Sequence, residues 1–194
     1  MRDEIQPRRI ARRTVLASAA FVPVTALRLA GQTIDSVFSA TQKHCLEAFT
    51  NRLVPHDEYG PGAVECGVVE YIDRSMAGPL AAGKPAFLAG MDAVDTFSRE
   101  MQGAPLAELT PEKQDAVLSA IEKNPDSAAF FALVRRLTLE GMFSDPSYGG
   151  NRNFAGWDLI RYPGPRMAVA PDDQKLGVSV KPVRYSVNGG GHGH

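Results

Sequence analysis

The chain has 194 residues, of which 44% are hydrophobic, so it is long enough for one domain with a substantial core. Its net charge of −1 is unevenly divided, since residues 1–31 carry six Arg against two acidic residues, whereas the remainder carries 15 basic and 20 acidic residues. A mildly acidic body lacks the basic surface that nucleic-acid binding requires, and we exclude that class of function.

Residues 1–31 have the pattern of a twin-arginine export signal. Arg12 and Arg13 precede a weakly apolar run that includes Leu16, and this order is typical of a bacterial route that exports folded proteins. The alternative is an amphipathic helix that stays in the cytoplasm. The run is too short, and too broken by Pro23, to indicate a membrane span. We therefore predict a periplasmic protein whose membrane contact is limited to this signal or to a partner.

Helical periodicity predicts about five amphipathic helices within residues 32–165. Ser39 and Gln42 have the spacing of a capping box before the first helix. Thr110 is expected to cap the fourth helix, with Pro111 at its first position. We predict a single all-α domain of packed amphipathic helices. The spacings place the helices at about residues 40–53, 64–76, 87–101, 111–123 and 130–142.

The last part of the chain has a different composition. Residues 145–151 are glycine-rich and irregular, and a short helix is expected around Trp157. Residues 166–194 carry little helical signal and end in a glycine–histidine sequence. Such composition predicts an extended or disordered tail, or a segment that becomes ordered on a partner.

The chain has two cysteines, Cys45 and Cys66. In an oxidising periplasm such a pair favours an internal disulfide, which would stabilise the fold by about 3 kcal/mol. The alternatives are two free buried thiols or a bridge to a partner chain. Because the spacing differs from Cys-x-x-Cys, catalytic redox chemistry is not indicated.

Motifs for catalysis or for cofactor binding are absent from the sequence. No dinucleotide-binding glycine pattern, covalent-haem motif or His-Glu-x-x-His motif is present. His56, Asp57 and Glu58 are consecutive, so they cannot easily converge on one ion, and a solvated turn is the favoured interpretation. His192 and His194 could bind a metal only weakly from a glycine-rich setting. We predict no catalytic, cofactor or metal site in this chain.

Aromatic side chains are concentrated near the end of the helical region. Four of them lie within fifteen residues, among glycines and polar groups, which is typical of an adaptable protein interface. The alternative is a local aromatic cluster that fixes the chain against the helices, and both can hold together. The predicted partner interface comprises Phe143, Tyr148, Asn151, Arg152, Trp157 and Tyr162.

The same stretch resembles the gluconate 2-dehydrogenase subunit 3 family. The resemblance rests on residues 142–152 (MFSDPSYGGNR), on Gly156-Trp157 and on residues 159–165. A second patch lies within residues 52–73 and includes the sequence RLVP. The likeness spans about residues 41–165.

This resemblance implies a non-catalytic small subunit of a periplasmic sugar, polyol or glycoside dehydrogenase. In such complexes the large subunit resembles the glucose–methanol–choline flavoproteins and holds FAD, and a cytochrome c subunit with haem c often accepts the electrons. The small subunit carries the export signal and stabilises the large one. The alternative is a free-standing periplasmic metal-binding or acid–base enzyme that uses the loop of His56, Asp57 and Glu58.

Overall fold

The computed structural model describes residues 36–166, 168–178 and 180–187. Within these ranges the chain forms six α-helices and no β-strand, which confirms the all-α fold. Arg12, Arg13, Leu16, His192 and His194 lie outside the described residues. The helices are α1 (Ala40–Leu53), α2 (Val68–Ala77), α3 (Lys84–Gln102), α4 (Pro111–Lys123), α5 (Ala128–Phe143) and the short α6 (Ala155–Leu159).

Two helix starts test the capping predictions. The capping box of α1 is confirmed, because the Ser39 hydroxyl accepts from the Gln42 N–H and the Gln42 side chain accepts from the Ser39 N–H. Pro111 begins α4 as predicted, but the Thr110 hydroxyl makes no capping bond to the helix backbone. Its hydroxyl instead bonds to the side chain of Glu112, whose carboxylate also accepts from its own backbone N–H.

One hydrophobic core holds the helices together, and α1 lies at its centre, in contact with α2, α3, α4 and α5. Leu46 and Phe49 of α1 are completely buried. At the end of α1, Arg52 makes a bidentate ion pair with Asp115 of α4, with N–O distances of 2.7 and 2.8 Å. In the described residues, no helix combines the length and the apolar character that a membrane span needs. The largest of the core's completely buried side chains are Phe49, Phe87, Leu46, Ile72, Met76 and Met91.

After α6 the described chain is extended, apart from one 3-10 turn at Pro171–Gln174. It returns to the helical body, so the described part of the C-terminal segment is anchored to α6 and to the residues that follow α5 and α6. The anchors are hydrogen bonds from Val183 N to Pro163 O (2.8 Å), from Arg184 Nη2 to Asp158 Oδ2 (2.6 Å), from the Ser186 hydroxyl to Asp145 and from Val187 N to Asp145 Oδ2 (2.9 Å).

Candidate functional site

The predicted disulfide is absent from the structure, because Cys45 and Cys66 are both free and buried. The two thiols face different surroundings. Burial, and then the neighbouring carboxylate of Asp95, raise the pKa of the Cys45 thiol. Burial also raises the pKa of Cys66, and its backbone carbonyl accepts from the Arg152 N–H at 3.0 Å. Each cysteine is therefore an element of packing between different parts of the fold.

The loop of His56, Asp57 and Glu58 is exposed and forms a turn. The Asp57 carboxylate accepts from the Tyr59 backbone N–H at 2.9 Å, which stabilises that turn. His56 Nδ1 lies 3.7 Å from a carboxylate oxygen of Glu65. Across the described ranges, no three His, Cys, Asp or Glu side chains are grouped closely enough to hold a metal ion.

Residues 144–157, which follow α5 and which we call the motif, fold back over the C-terminal end of that helix. The last carbonyl groups of a helix have no partner within it and must be satisfied from outside. Gly141 O accepts from Asn151 N at 2.8 Å, and Phe143 O accepts from Trp157 Nε1 at 2.8 Å. Ser144 O, directly after the helix, accepts from Asn151 Nδ2 at 2.9 Å. The motif thus satisfies three carbonyls at this helix end.

Asn151 is the centre of this arrangement and is completely buried. Besides its bond to Ser144, its side-chain oxygen accepts from the backbone N–H groups of Gly156 at 2.9 Å and Trp157 at 3.3 Å. These N–H groups belong to the first turn of α6, which has no intrahelical acceptors for them. One amide side chain therefore caps the end of α5 and the beginning of α6.

Two glycines of the motif are required by close backbone packing. A Cβ atom at Gly150 would lie 2.0 Å from the carbonyl oxygen of Gly141. A Cβ atom at Gly156 would lie 1.8 Å from the carbonyl oxygen of Met142. Only glycine permits these approaches without a backbone shift. The motif is accordingly a capping device for α5, built by backbone contacts that a larger residue would break.

The six predicted interface residues fall into two groups. Asn151 and Trp157 are buried and belong to the capping device, and Phe143 is half-buried above it. The others face outward: Tyr148 is 53% exposed, Tyr162 is 40% exposed, and Arg152 pairs with Glu70 at 3.4 Å. Trp157 and Tyr162 also stack edge to face, with ring centroids 5.0 Å apart. The prediction that these residues contact a partner remains a prediction.

A second outward-facing surface was missed by the sequence interpretation. Among the described residues between 160 and 187, eight large hydrophobic side chains are exposed to solvent. The sequence carries a signal for the last three of them, because valine and tyrosine alternate with other residues from Val183 to Val187. The eight side chains are Ile160, Tyr162, Val169, Leu176, Val178, Val183, Tyr185 and Val187.

Comparison with known proteins gives one clear match. A protein-family model described as Gluconate 2-dehydrogenase subunit 3 matches residues 40–164, which is more than half of the chain. This range contains all six helices and the whole capping device. No curated protein matches the chain. No solved structure matches it either.

Proposed function

The chain belongs to the gluconate 2-dehydrogenase subunit 3 family, and on that premise we propose that it is the non-catalytic small subunit of a periplasmic dehydrogenase complex. The family name denotes one subunit of a multi-subunit dehydrogenase. Its large partner in this proposal is a flavoprotein of the glucose–methanol–choline type, which holds FAD and oxidises a sugar, polyol or glycoside. A cytochrome c subunit with haem c receives the electrons.

The family match is the observation that carries this proposal, and the geometry of the motif agrees with it. The Phe143 carbonyl, the Asn151 side chain and the Trp157 indole N–H form hydrogen bonds at the ends of α5 and α6. The most distinctive sequence of the chain therefore maintains a scaffold, which is the expected task of a supporting subunit. The outward Tyr148, Arg152 and Tyr162 provide aromatic and guanidinium groups of the kind that protein interfaces favour.

The proposed second task is export of the assembled complex. Arg12 and Arg13 precede the apolar run with Leu16, and the cationic first 31 residues contrast with the acidic remainder. The export route that recognises twin-arginine signals carries folded proteins. A large subunit without its own signal would therefore cross the membrane bound to this chain.

Co-expression of this chain with its flavoprotein subunit tests the proposal. The partner is identified first by its mass and flavin absorbance after purification with the tagged full chain. We expect R12K/R13K to leave both subunits in the cytoplasm, while the matched control R8K/R9K, which also keeps the charge, exports both. Normal export of the flavoprotein with R12K/R13K would refute the escort role. A wild-type chain that purifies without any flavoprotein would refute the subunit assignment.

A further inference from the structure

The end of the C-terminal segment has an unusual distribution of polar and apolar side chains. Along extended backbone, alternate side chains point to opposite sides. The polar members of residues 183–187 bond to the protein: Ser186 is 3% exposed and bonds to Asp145, and the guanidinium group of Arg184, whose side chain is 55% exposed, bonds to Asp158 at 2.6 Å. The apolar members face outward, with exposed fractions of 39%, 48% and 60% for Val183, Tyr185 and Val187.

An extended segment at a water-exposed surface usually buries its apolar side. Here the buried side chain is the polar Ser186, and the apolar side chains of Val183, Tyr185 and Val187 are exposed. Tyr162, which is 40% exposed, lies beside this segment, because the Val183 N–H bonds to the carbonyl of Pro163, the next residue after Tyr162. We call Tyr162, Val183, Tyr185 and Val187 the outer stripe. An apolar face of this kind, held outward by polar anchors, is typical of a surface that another molecule covers.

The charges beside the outer stripe indicate the chemistry of its partner. Among the described residues near the stripe, Arg184 pairs with Asp158 (2.6 Å) and Arg166 pairs with Asp173 (3.2 Å), whereas Arg161 and Lys181 form no ion pair. These two cations are fewer than the cluster of about four to eight that an anionic lipid surface needs. A surface that binds anionic lipid or nucleic acid needs clustered cations that are free to meet phosphates. The partner that fits the outer stripe is therefore an apolar protein surface.

The outer stripe is also held in place before any partner binds. The Asp145 carboxylate accepts from the Ser186 hydroxyl and from the Val187 N–H, and it also accepts from the Ser147 N–H at 2.9 Å. These bonds join the extended segment to the turn directly after α5. A surface fixed in this way loses little conformational entropy on association.

We propose that the outer stripe is the docking surface for the flavoprotein subunit, whose complementary face is apolar. This inference rests on the proposed function, because membership of a subunit family is what requires another chain to contact this one. Tyr185 would act as the anchor, since rigid aromatic side chains contribute most strongly at interface centres, and the outward valines would exclude water around it.

The test measures the affinity of the purified flavoprotein for the tagged full chain and its variants. We expect the triple variant V183S/Y185S/V187S to raise the Kd by about 30-fold or more, the effect of losing interface anchors. The matched control M101S/L139S removes apolar side chains that are each 43% exposed on α3 and α5. We expect the control to change the Kd by less than about threefold, as peripheral residues do.

A second variant guards against loss of folding. Y185E places a charge on the outward side only, and we expect it to weaken binding comparably while the thermal unfolding midpoint stays that of the wild type. If the wild type binds the flavoprotein and the folded triple variant binds equally well, this inference fails and the proposed function stands. If the wild type does not bind the flavoprotein, both fail.

Two alternative occupants of the outer stripe, a second copy of this chain and a lipid surface, are tested with the purified chain alone. Light scattering reports whether the wild type forms a dimer that the triple variant does not. Flotation with phosphatidylglycerol vesicles reports whether the wild type binds lipid and the triple variant does not. A dimer or lipid binding that the triple variant abolishes would overturn the proposal. A wild type that is monomeric and does not bind the vesicles supports it.

Discussion

Replacement of Asn151 by alanine tests the capping device directly. The variant removes the bond to Ser144 O and the acceptor of the Gly156 and Trp157 N–H groups, all in a completely buried position. It also puts alanine at φ 45°, in the left-handed region that favours asparagine and glycine. The variant therefore combines lost hydrogen bonds with backbone strain.

The magnitude follows from these two contributions. A buried backbone group left without its partner costs about 1–3 kcal/mol, and at least the Ser144 carbonyl and the Gly156 N–H are affected. The left-handed backbone adds about 1 kcal/mol for alanine. We expect Asn151→Ala to lower the free energy of unfolding by about 3–7 kcal/mol, a large part of the stability of an ordinary domain.

Urea unfolding of the full chain, followed by far-ultraviolet circular dichroism, measures this loss. Asn151→Gly separates the two causes, because glycine tolerates the positive φ but makes no side-chain bonds. We expect glycine to be less destabilising than alanine by about 1 kcal/mol. A loss below about 1 kcal/mol for Asn151→Ala would refute the assignment of this residue as the cap of both helices.

Three further predictions concern single sites. Gly156→Ala should lower the unfolding free energy by more than about 2 kcal/mol, because its Cβ would meet the Met142 carbonyl, whereas Gly83→Ala, with open space, should change it by less than about 0.5 kcal/mol. Burial opposes ionisation of Asp145, but hydrogen bonds outweigh it and lower its pKa. The ionised Asp145 therefore stabilises the fold fully above the unfolded pKa of about 3.9, and this stabilisation is lost as the pH falls through the lower folded pKa. Urea unfolding at several pH values should show this loss for the wild type and not for Asp145→Asn. Because burial and Asp95 raise the pKa of Cys45, iodoacetamide at pH 8 should modify that thiol only after unfolding.

Local sequence patterns predicted the parts of the fold that depend on neighbours in the chain. The capping box of α1 needs only Ser39 and Gln42, three residues apart, and it is formed as expected. The periodicity of α3, α4 and α5 likewise located these helices to within a few residues. Such signals are sufficient wherever one helix face is buried and its ends are closed by adjacent side chains.

The start of α2 shows where this reasoning fails. The spacing of apolar residues predicted a helix from Val64, but α2 begins at Val68 after Gly67, which has φ 75°. The carbonyl of Cys66, just before this glycine, accepts from the Arg152 N–H. The boundary is therefore fixed partly by a residue far away in the sequence, and a local pattern carries no information about that contact.

The capping device was recognised as distinctive but its role was only partly predicted. Glycine followed by asparagine indicates a turn, and Asn151 does adopt a positive φ. Phe154 also has a positive φ of 62°, for which no local sequence signal exists. Its backbone N–H bonds to the carbonyl of Asn151 at 2.9 Å, so contacts formed by the folded motif hold this conformation.

The place where the family match ends bears on how such a subunit would select its partner. The match stops at Gly164, which has φ 84° and whose Cβ would lie 2.0 Å from the carbonyl oxygen of Val183. The absence of a side chain there lets the extended segment cross closely over the helical body. The helices and the capping device that support this segment thus lie within the matched range, whereas Val183, Tyr185 and Val187 lie beyond the end of the match. On the proposed docking role, a chain with the same helices and different apolar residues at 183, 185 and 187 would present a different surface to its partner, while the contacts of Gly164 and Ser186 that hold the segment stay unchanged.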